Sequence, residues 1–251
     1  MEQAITKGLV LYSQAYKERD RLIRIYTEDF GKCQFFIKNA SKSKFAMSLQ
    51  SFTYAELWVT INESGFSFIS DVSQVKPYLN IQKDLFINAH ASYIVSLADL
   101  LLEDREEDLP LYRFLIQTLE LMDQKKDAEI LTNIFELQAL SRFGAALNLS
   151  DCQICSQKNR AMDYSFLYNG CLCQEHFYKD KHRLHIDPNI IYLSGQFLNM
   201  SLKKLDKISI KAERKKALRQ FIDQLYEEYI GVQPKAKRFL DGMSGWAQLI
   251  K

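Results

Sequence analysis

The spacing of apolar residues changes near Pro77. Before it, short apolar runs alternate with turn signals. Residues 8–12 form a compact apolar run, and 21–26 and 34–38 are rich in β-branched and aromatic side chains. Those two runs bracket Thr27-Glu28-Asp29-Phe30-Gly31-Lys32, where Asp and Gly supply turn chemistry. Residues 52–61 and 65–72 make another pair around Asn62-Glu63-Ser64-Gly65. Five strands within about seventy residues predict a small barrel or sandwich, and the OB-fold is one such five-stranded barrel. Residues 43–50 are expected to form a short helix between its third and fourth strands.

After Pro77 the period becomes helical. Ile87, His90, Ile94, Leu97 and Leu101 recur at three and four, as do Leu111, Leu115, Thr118 and Met122. Ile130, Ile134, Leu137, Leu140, Phe143 and Leu147 continue the pattern. Leu218, Ile222, Leu225 and Tyr229 form a last stripe, stopped by Gly231 with Pro234 beyond it. His90 lies on a stripe and reads as a packing residue. Cys33 reads as a small buried one.

Four of the five cysteines fall between 152 and 173. Cys152-x2-Cys155, a gap of 17 residues, then Cys173-x2-His176 has two-knuckle zinc spacing. Two intervening residues let one tight turn aim both ligands at a single tetrahedral ion. Cys171, His182 and His185 are alternatives within reach, but the chosen set keeps x2 spacing in both pairs. Four protein ligands leave no position for activated water, so the expected zinc is structural. Asn169-Gly170 reads as the hairpin turn of a ribbon. The predicted class is therefore α+β, an N-terminal five-stranded OB-fold barrel followed by an all-helical domain carrying a small zinc ribbon. The boundaries are 1–80 for the barrel, 81–150 and 187–251 for the two helical parts, and 151–186 for the ribbon insertion.

Composition narrows the classes. Hydrophobic residues are 47% and charged residues 25%, which excludes a disordered chain. The most apolar stretch, 94–102, is broken by Asp99 and is far shorter than the roughly 20 residues of a spanning helix. Met1-Glu2-Gln3-Ala4 does not begin a basic region followed by an apolar stretch, so no secretory signal is expected. Clustered cysteines point away from a disulfide framework and toward a reducing cytoplasm. Net charge is only +2, but residues 1–50 carry +4, 81–150 carry −6 and 187–251 carry +5. Basic ends around an acidic middle fit a polyanionic partner, while charge alone is better read as Lys and Arg solvating helix faces. There is no phosphate-binding loop, no dinucleotide fingerprint and no nucleophile elbow, which favours a binding module over an enzyme.

Several segments together resemble the RecO family of bacterial DNA repair and recombination mediators. They are Gly8-Leu9-Val10-Leu11, Lys17-Glu18-Arg19-Asp20-Arg21-Leu22, Tyr26-Thr27-Glu28-Asp29-Phe30-Gly31-Lys32 and Lys38-Asn39-Ala40-Ser41-Lys42-Ser43-Lys44. Leu49-Gln50-Ser51-Phe52 and Ile230 through Leu240 extend the resemblance over essentially the whole chain. It implies binding of single- and double-stranded DNA, annealing of complementary strands, and work with RecR and single-stranded DNA-binding protein to load RecA. A nucleoid-associated, cytoplasmic location follows from it. Two departures stand out: His176 where many relatives have Cys, and Asn39 where the family has Gly.

The candidate DNA-binding residues are Arg19, Arg21, Arg24, Lys32, Lys38, Lys42 and Lys44, interleaved with Tyr16, Tyr26, Phe30 and Phe36. Lys203, Lys204, Lys207, Lys211, Arg214, Lys215 and Lys216 could extend that surface, and Arg142 beside Phe143 could meet an acidic tail. The competing readings are a nuclease with a structural ribbon and a protein-interaction scaffold.

Overall fold

The computed structural model describes residues 1–45, 48–158, 160–205 and 208–249. The chain forms two compact units, Met1–Ala128 with Pro234–Lys251, and Glu129–Gln233.

The first unit holds an antiparallel sheet of β1 (Glu2–Tyr16), β2 (Asp20–Thr27), β3 (Gly31–Ile37), β4 (Thr53–Ile61) and β5 (Phe68–Pro77). The order is β3-β2-β1-β4-β5. The long central β1 makes this possible: Glu2–Leu9 pair with β4, and Gly8–Tyr16 pair with β2 across a shift between Val10 and Tyr12. Alternate residues of these strands, including Val10, Ile23, Ile25, Cys33, Phe35, Leu57 and Val59, form one buried core. The expected barrel is not closed. Among the described residues a single bridge joins the edges of the sheet, Phe36 N–H to Ser67 O at 3.0 Å and Ser67 N–H to Gln34 O at 2.9 Å. Immediately after Ser67 the chain turns along β4, with two register shifts, so no ladder joins β3 to β5. The short helix expected over 43–50 is not present among the described residues. A 3₁₀ turn at Ala40–Lys42 precedes other turns there, and the Ser43 hydroxyl accepts the Phe45 N–H. Such side-chain bonding offers the backbone an alternative to a helix.

Two turns explain residue choices. Asn39 has φ 48° and ψ 51°, the left-handed region that Gly or Asn tolerates, which accounts for Asn where the resemblance expects Gly. Gly31 has φ +59°, and a Cβ there would lie 2.1 Å from the Glu106 carbonyl oxygen. Gly31→Ala is therefore expected to cost about 2 kcal/mol from strain and forced displacement, read as a lower urea midpoint at unchanged slope.

Helices α1 (Leu79–Lys83), α2 (Leu85–Leu101) and α3 (Leu109–Asp123) follow. Asp84 caps α2 by accepting from the Phe86 and Ile87 N–H groups, and Asp108 caps α3 through Leu111. The predicted stripes face inward: Ile87, His90, Ile94 and Leu97 are buried on α2, and Leu111, Leu115, Thr118 and Met122 on α3. His90 packs edge-on against Phe86, with centroids 4.7 Å apart.

The second unit contains most of α4 (Ala128–Ala139), then β6 (Met162–Ser165), β7 (Gly170–Cys173), α5 (Pro188–Leu198) and α6 (Ala212–Tyr229). The buried Glu136 of α4 is paired by Arg219 of α6, and its carbonyl accepts the Tyr226 hydroxyl at 2.9 Å. The chain then returns to the first unit, where α7 (Lys235–Leu249) packs Leu240 on Ala89 and Tyr93 of α2. Among the described residues, no helix is long and apolar enough to cross a membrane.

Candidate metal centre and nucleic-acid interface

The turn after Cys152 is built by local bonding. Ser156 N–H donates to the Cys152 carbonyl at 2.8 Å, and Ser156 itself takes φ 55°. This folds Cys155 back beside Cys152. Across the ribbon, Asn169 at φ 50° turns β6 into β7, and Cys173 ends β7 where a 3₁₀ turn, Gln174–Lys179, begins. That turn places His176 Nδ1 3.3 Å from Cys173 Sγ and 3.6 Å from Cys152 Sγ. Cys155 Sγ lies 3.8 Å from Cys173 Sγ. All four ligand atoms are within 4.8 Å of one another.

These spacings fit a metal. Thiolates about 2.3 Å from a tetrahedral zinc stand about 3.8 Å apart, and a thiolate and an imidazole about 3.5 Å apart. The thiols of the group differ: burial, with the neighbouring Cys152 and Cys155 side chains, pushes Cys173 up. Burial raises the Cys152 thiol, but backbone N–H groups of Cys155, Cys173 and Ile154 outweigh it and bring it down to about 6. Cys171 stays outside the group, one pleat earlier in β7, where burial pushes its thiol up to about 12. His182 and His185 are also outside it; their backbone N–H groups serve Asp180 and Asp163. The ribbon is fastened from behind. Asp163 pairs with Arg183 at 2.8 Å and accepts the Tyr164, His185 and Ile186 N–H groups. Ser165 donates to Asp180 at 2.5 Å.

The seven basic residues of the first unit divide. Arg19, Arg21, Lys38, Lys42 and Lys44 are exposed. Arg19 and Arg21 line an open groove of about 580 Å³ with Lys17, Ile23, Ile37, Phe45 and Leu49. Lys44 reaches Asp71 at 3.0 Å, and both side chains are well exposed. Lys32 and Arg24 are engaged by internal partners. Lys32 is 5% exposed, and its ammonium lies 2.9 Å from Asp99 while donating to the Asp99 and Leu102 carbonyls. Arg24 pairs with Asp104 and Asp99. Both face outward from the sheet, but α2 and the segment after it cover that position, so their charges are neutralised internally. Tyr26 is likewise buried, its hydroxyl donating to the Asp108 carbonyl. Phe30 packs against the sheet core, while Tyr16 and Phe36 keep partial exposure.

In the second unit Lys203, Lys211, Arg214 and Lys216 are exposed, whereas Lys215 pairs with Glu129 at 3.2 Å. Lys207 and the Lys204 side chain lie outside the described residues. Arg142 is exposed in a 3₁₀ turn, and Phe143 packs edge-on to Tyr226.

Comparison with known families matches residues 1–78 to Recombination protein O N terminal and residues 82–238 to Recombination protein O C terminal. The chain belongs to the RecO family. A DNA repair protein RecO from Lactococcus lactis subsp. cremoris (strain SK11) is 57% identical over 251 residues, covering all of both chains. One from Streptococcus suis (strain 05ZYH33) is 48% identical, covering all of this chain and 96% of its own. Another, from Streptococcus pneumoniae serotype 19F (strain G54), is 46% identical over 252 residues and 98% of its length. With the RecO family so established, a role in DNA repair follows for this chain. The groove lining Lys17, Phe45 and Leu49 was missed in the sequence because it joins one hairpin turn to a loop far along the chain. No local period marks it.

Proposed function

We propose that this RecO-family chain is a non-enzymatic mediator that binds single- and double-stranded DNA and anneals complementary strands. In this reading it acts with RecR to hand DNA coated by single-stranded DNA-binding protein over to RecA. The observation that carries the DNA contact is the exposed set Arg19, Arg21, Lys38, Lys42 and Lys44, of which Arg19 and Arg21 line an open groove together with Lys17. Unpaired or weakly paired cations on a mouth of this kind neutralise phosphates and release counterions. The Lys44–Asp71 pair is no obstacle, since exposed pairs contribute little and a phosphate competes for the ammonium. The metal of the Cys152, Cys155, Cys173 and His176 site is proposed to be one structural zinc. Three thiolates and an imidazole form a closed, soft donor set suited to that ion.

Replacing Lys42 and Lys44 together by Ala tests the DNA reading. Salt-dependent titration with oligo(dT) is expected to give a slope smaller by about 1.4, at roughly 0.7 per lost phosphate contact. Binding should weaken for every sequence alike, annealing should slow in parallel, and metal content should not change. An unchanged slope, with the loss appearing instead in Lys211 and Lys216 variants, would move the contact to the second unit. Metal-dependent DNA cleavage or ATP hydrolysis that follows the purified protein would overturn the non-enzymatic part.

A further inference from the structure

Four aromatic rings meet beside the open edge of the sheet, and the metal site and basic loop make no use of them. Tyr16 ends β1, Phe36 lies on β3, and Phe66 and Phe68 flank the bridge residue Ser67. Tyr16 packs edge-on to Phe36 and Phe66, at 6.0 and 5.7 Å between centroids. Phe36 and Phe66 are near parallel, 19° apart at 6.1 Å, and Phe68 meets Phe36 at 6.4 Å. Phe68 is 44% exposed and the other three are half-buried. None belongs to the sheet core.

The cluster is held rigidly. Arg105 donates to the Glu63 and Gly65 carbonyls, the second at 2.8 Å, and Asn62 Nδ2 donates to the Phe66 carbonyl at 2.6 Å. The loop carrying Phe66 is thus fixed before any ligand arrives, which lowers the ordering cost of binding. Cations rim the rings. Lys17 Nζ stands 5.5 Å from the Tyr16 centroid, and exposed Lys38 lies two residues beyond Phe36. Asp20, opposite Tyr16 in the ladder, turns its carboxylate to the Asn39 N–H at 2.9 Å.

We infer that Tyr16, Phe36, Phe66 and Phe68 form a base-stacking platform for single-stranded DNA, with Lys17 and Lys38 meeting its phosphates. The inference rests on the DNA-binding reading above and adds to it a preference for single strands. Rings bordered by ammonium groups, on strands that also carry the exposed Gln14 and half-buried Gln34, suit a polyanion with open π faces. A duplex has no such faces to offer, because its bases already stack on one another.

The test uses the full-length protein with Phe66→Leu and Phe68→Leu combined, which keeps the bulk and the charges. Affinity for labelled oligo(dT) is expected to fall on the order of tenfold, with the salt slope unchanged and duplex affinity held. Circular dichroism and metal content report that the fold persists. Phe66→Trp gives a second reading, in which oligo(dT) quenches the added indole and duplex does not. Unchanged oligo(dT) affinity in the folded Leu variant, while the Lys42/Lys44 variant loses slope, overturns the platform and leaves the DNA reading intact. Equal losses on oligo(dT) and duplex overturn the single-strand preference. Loss of self-association with DNA binding intact would make the patch a protein contact and overturn the inference. Absence of any DNA binding by the unsubstituted chain would remove both readings.

Discussion

Cys173→Ser is expected to reduce the proposed zinc from one ion per chain to nearly none and to destabilise the second unit by several kcal/mol. Cys173 Sγ is one corner of the site, 3.3 Å from His176 Nδ1 and 3.8 Å from Cys155 Sγ. A serine hydroxyl is a poor, protonated ligand at neutral pH. The three remaining donors lose the closed tetrahedral shell. Binding energy at structural zinc sites is folding energy, on the order of 10 kcal/mol or more in small zinc peptides. The loss here is smaller, because the ribbon also rests on Asp163–Arg183, on Ser165–Asp180, and on Tyr164 packed against Phe221 of α6. Elemental analysis of untagged protein, with calorimetric unfolding in parallel, reads both effects. Cys171→Ser should retain the ion. Retention in Cys173→Ser with loss in Cys171→Ser would overturn the ligand assignment.

The four-residue metal group was legible from spacing alone because each x2 pair is a local turn, and local turns are what a sequence encodes most directly. The helical stripes were legible for the same reason: burial of Ile87, Ile94, Leu97, Leu111 and Leu115 follows a period of three and four. Closure of the sheet was not legible. It depends on how far β5 runs beside β3, and a single bridge at Ser67 is a non-local outcome that strand patterning does not specify. Among the described residues of 43–50, Ser43 bonds to the local backbone and no helix forms. Among the basic residues, period-two alternation hides which side of a strand a helix will later cover. Lys32 and Lys38 look alike in the sequence, yet one is buried and the other is exposed.

Lys32→Met is expected to cost about 3 kcal/mol of stability while leaving the salt slope of DNA binding unchanged. The Lys32 ammonium is placed from β3 onto the end of α2, where the last turn leaves carbonyls without helical partners. It donates to the Asp99 carbonyl at 2.6 Å and the Leu102 carbonyl at 2.7 Å, and pairs with the Asp99 carboxylate at 2.9 Å. A cation here also complements the negative end of the helix dipole. Methionine preserves the length of the side chain but leaves two carbonyls and a carboxylate unserved. Removing one partner of a buried pair costs roughly 3–5 kcal/mol. The low end applies because the Asp99 side chain keeps 25% exposure and Arg24 still lies 3.7 Å away. Urea unfolding gives the stability, and oligo(dT) titration across salt gives the slope. If Lys32 instead meets a phosphate, the slope falls by about 0.7 and the urea midpoint stays in place. The two outcomes separate cleanly, because a charge spent on capping a helix cannot also release a counterion from DNA.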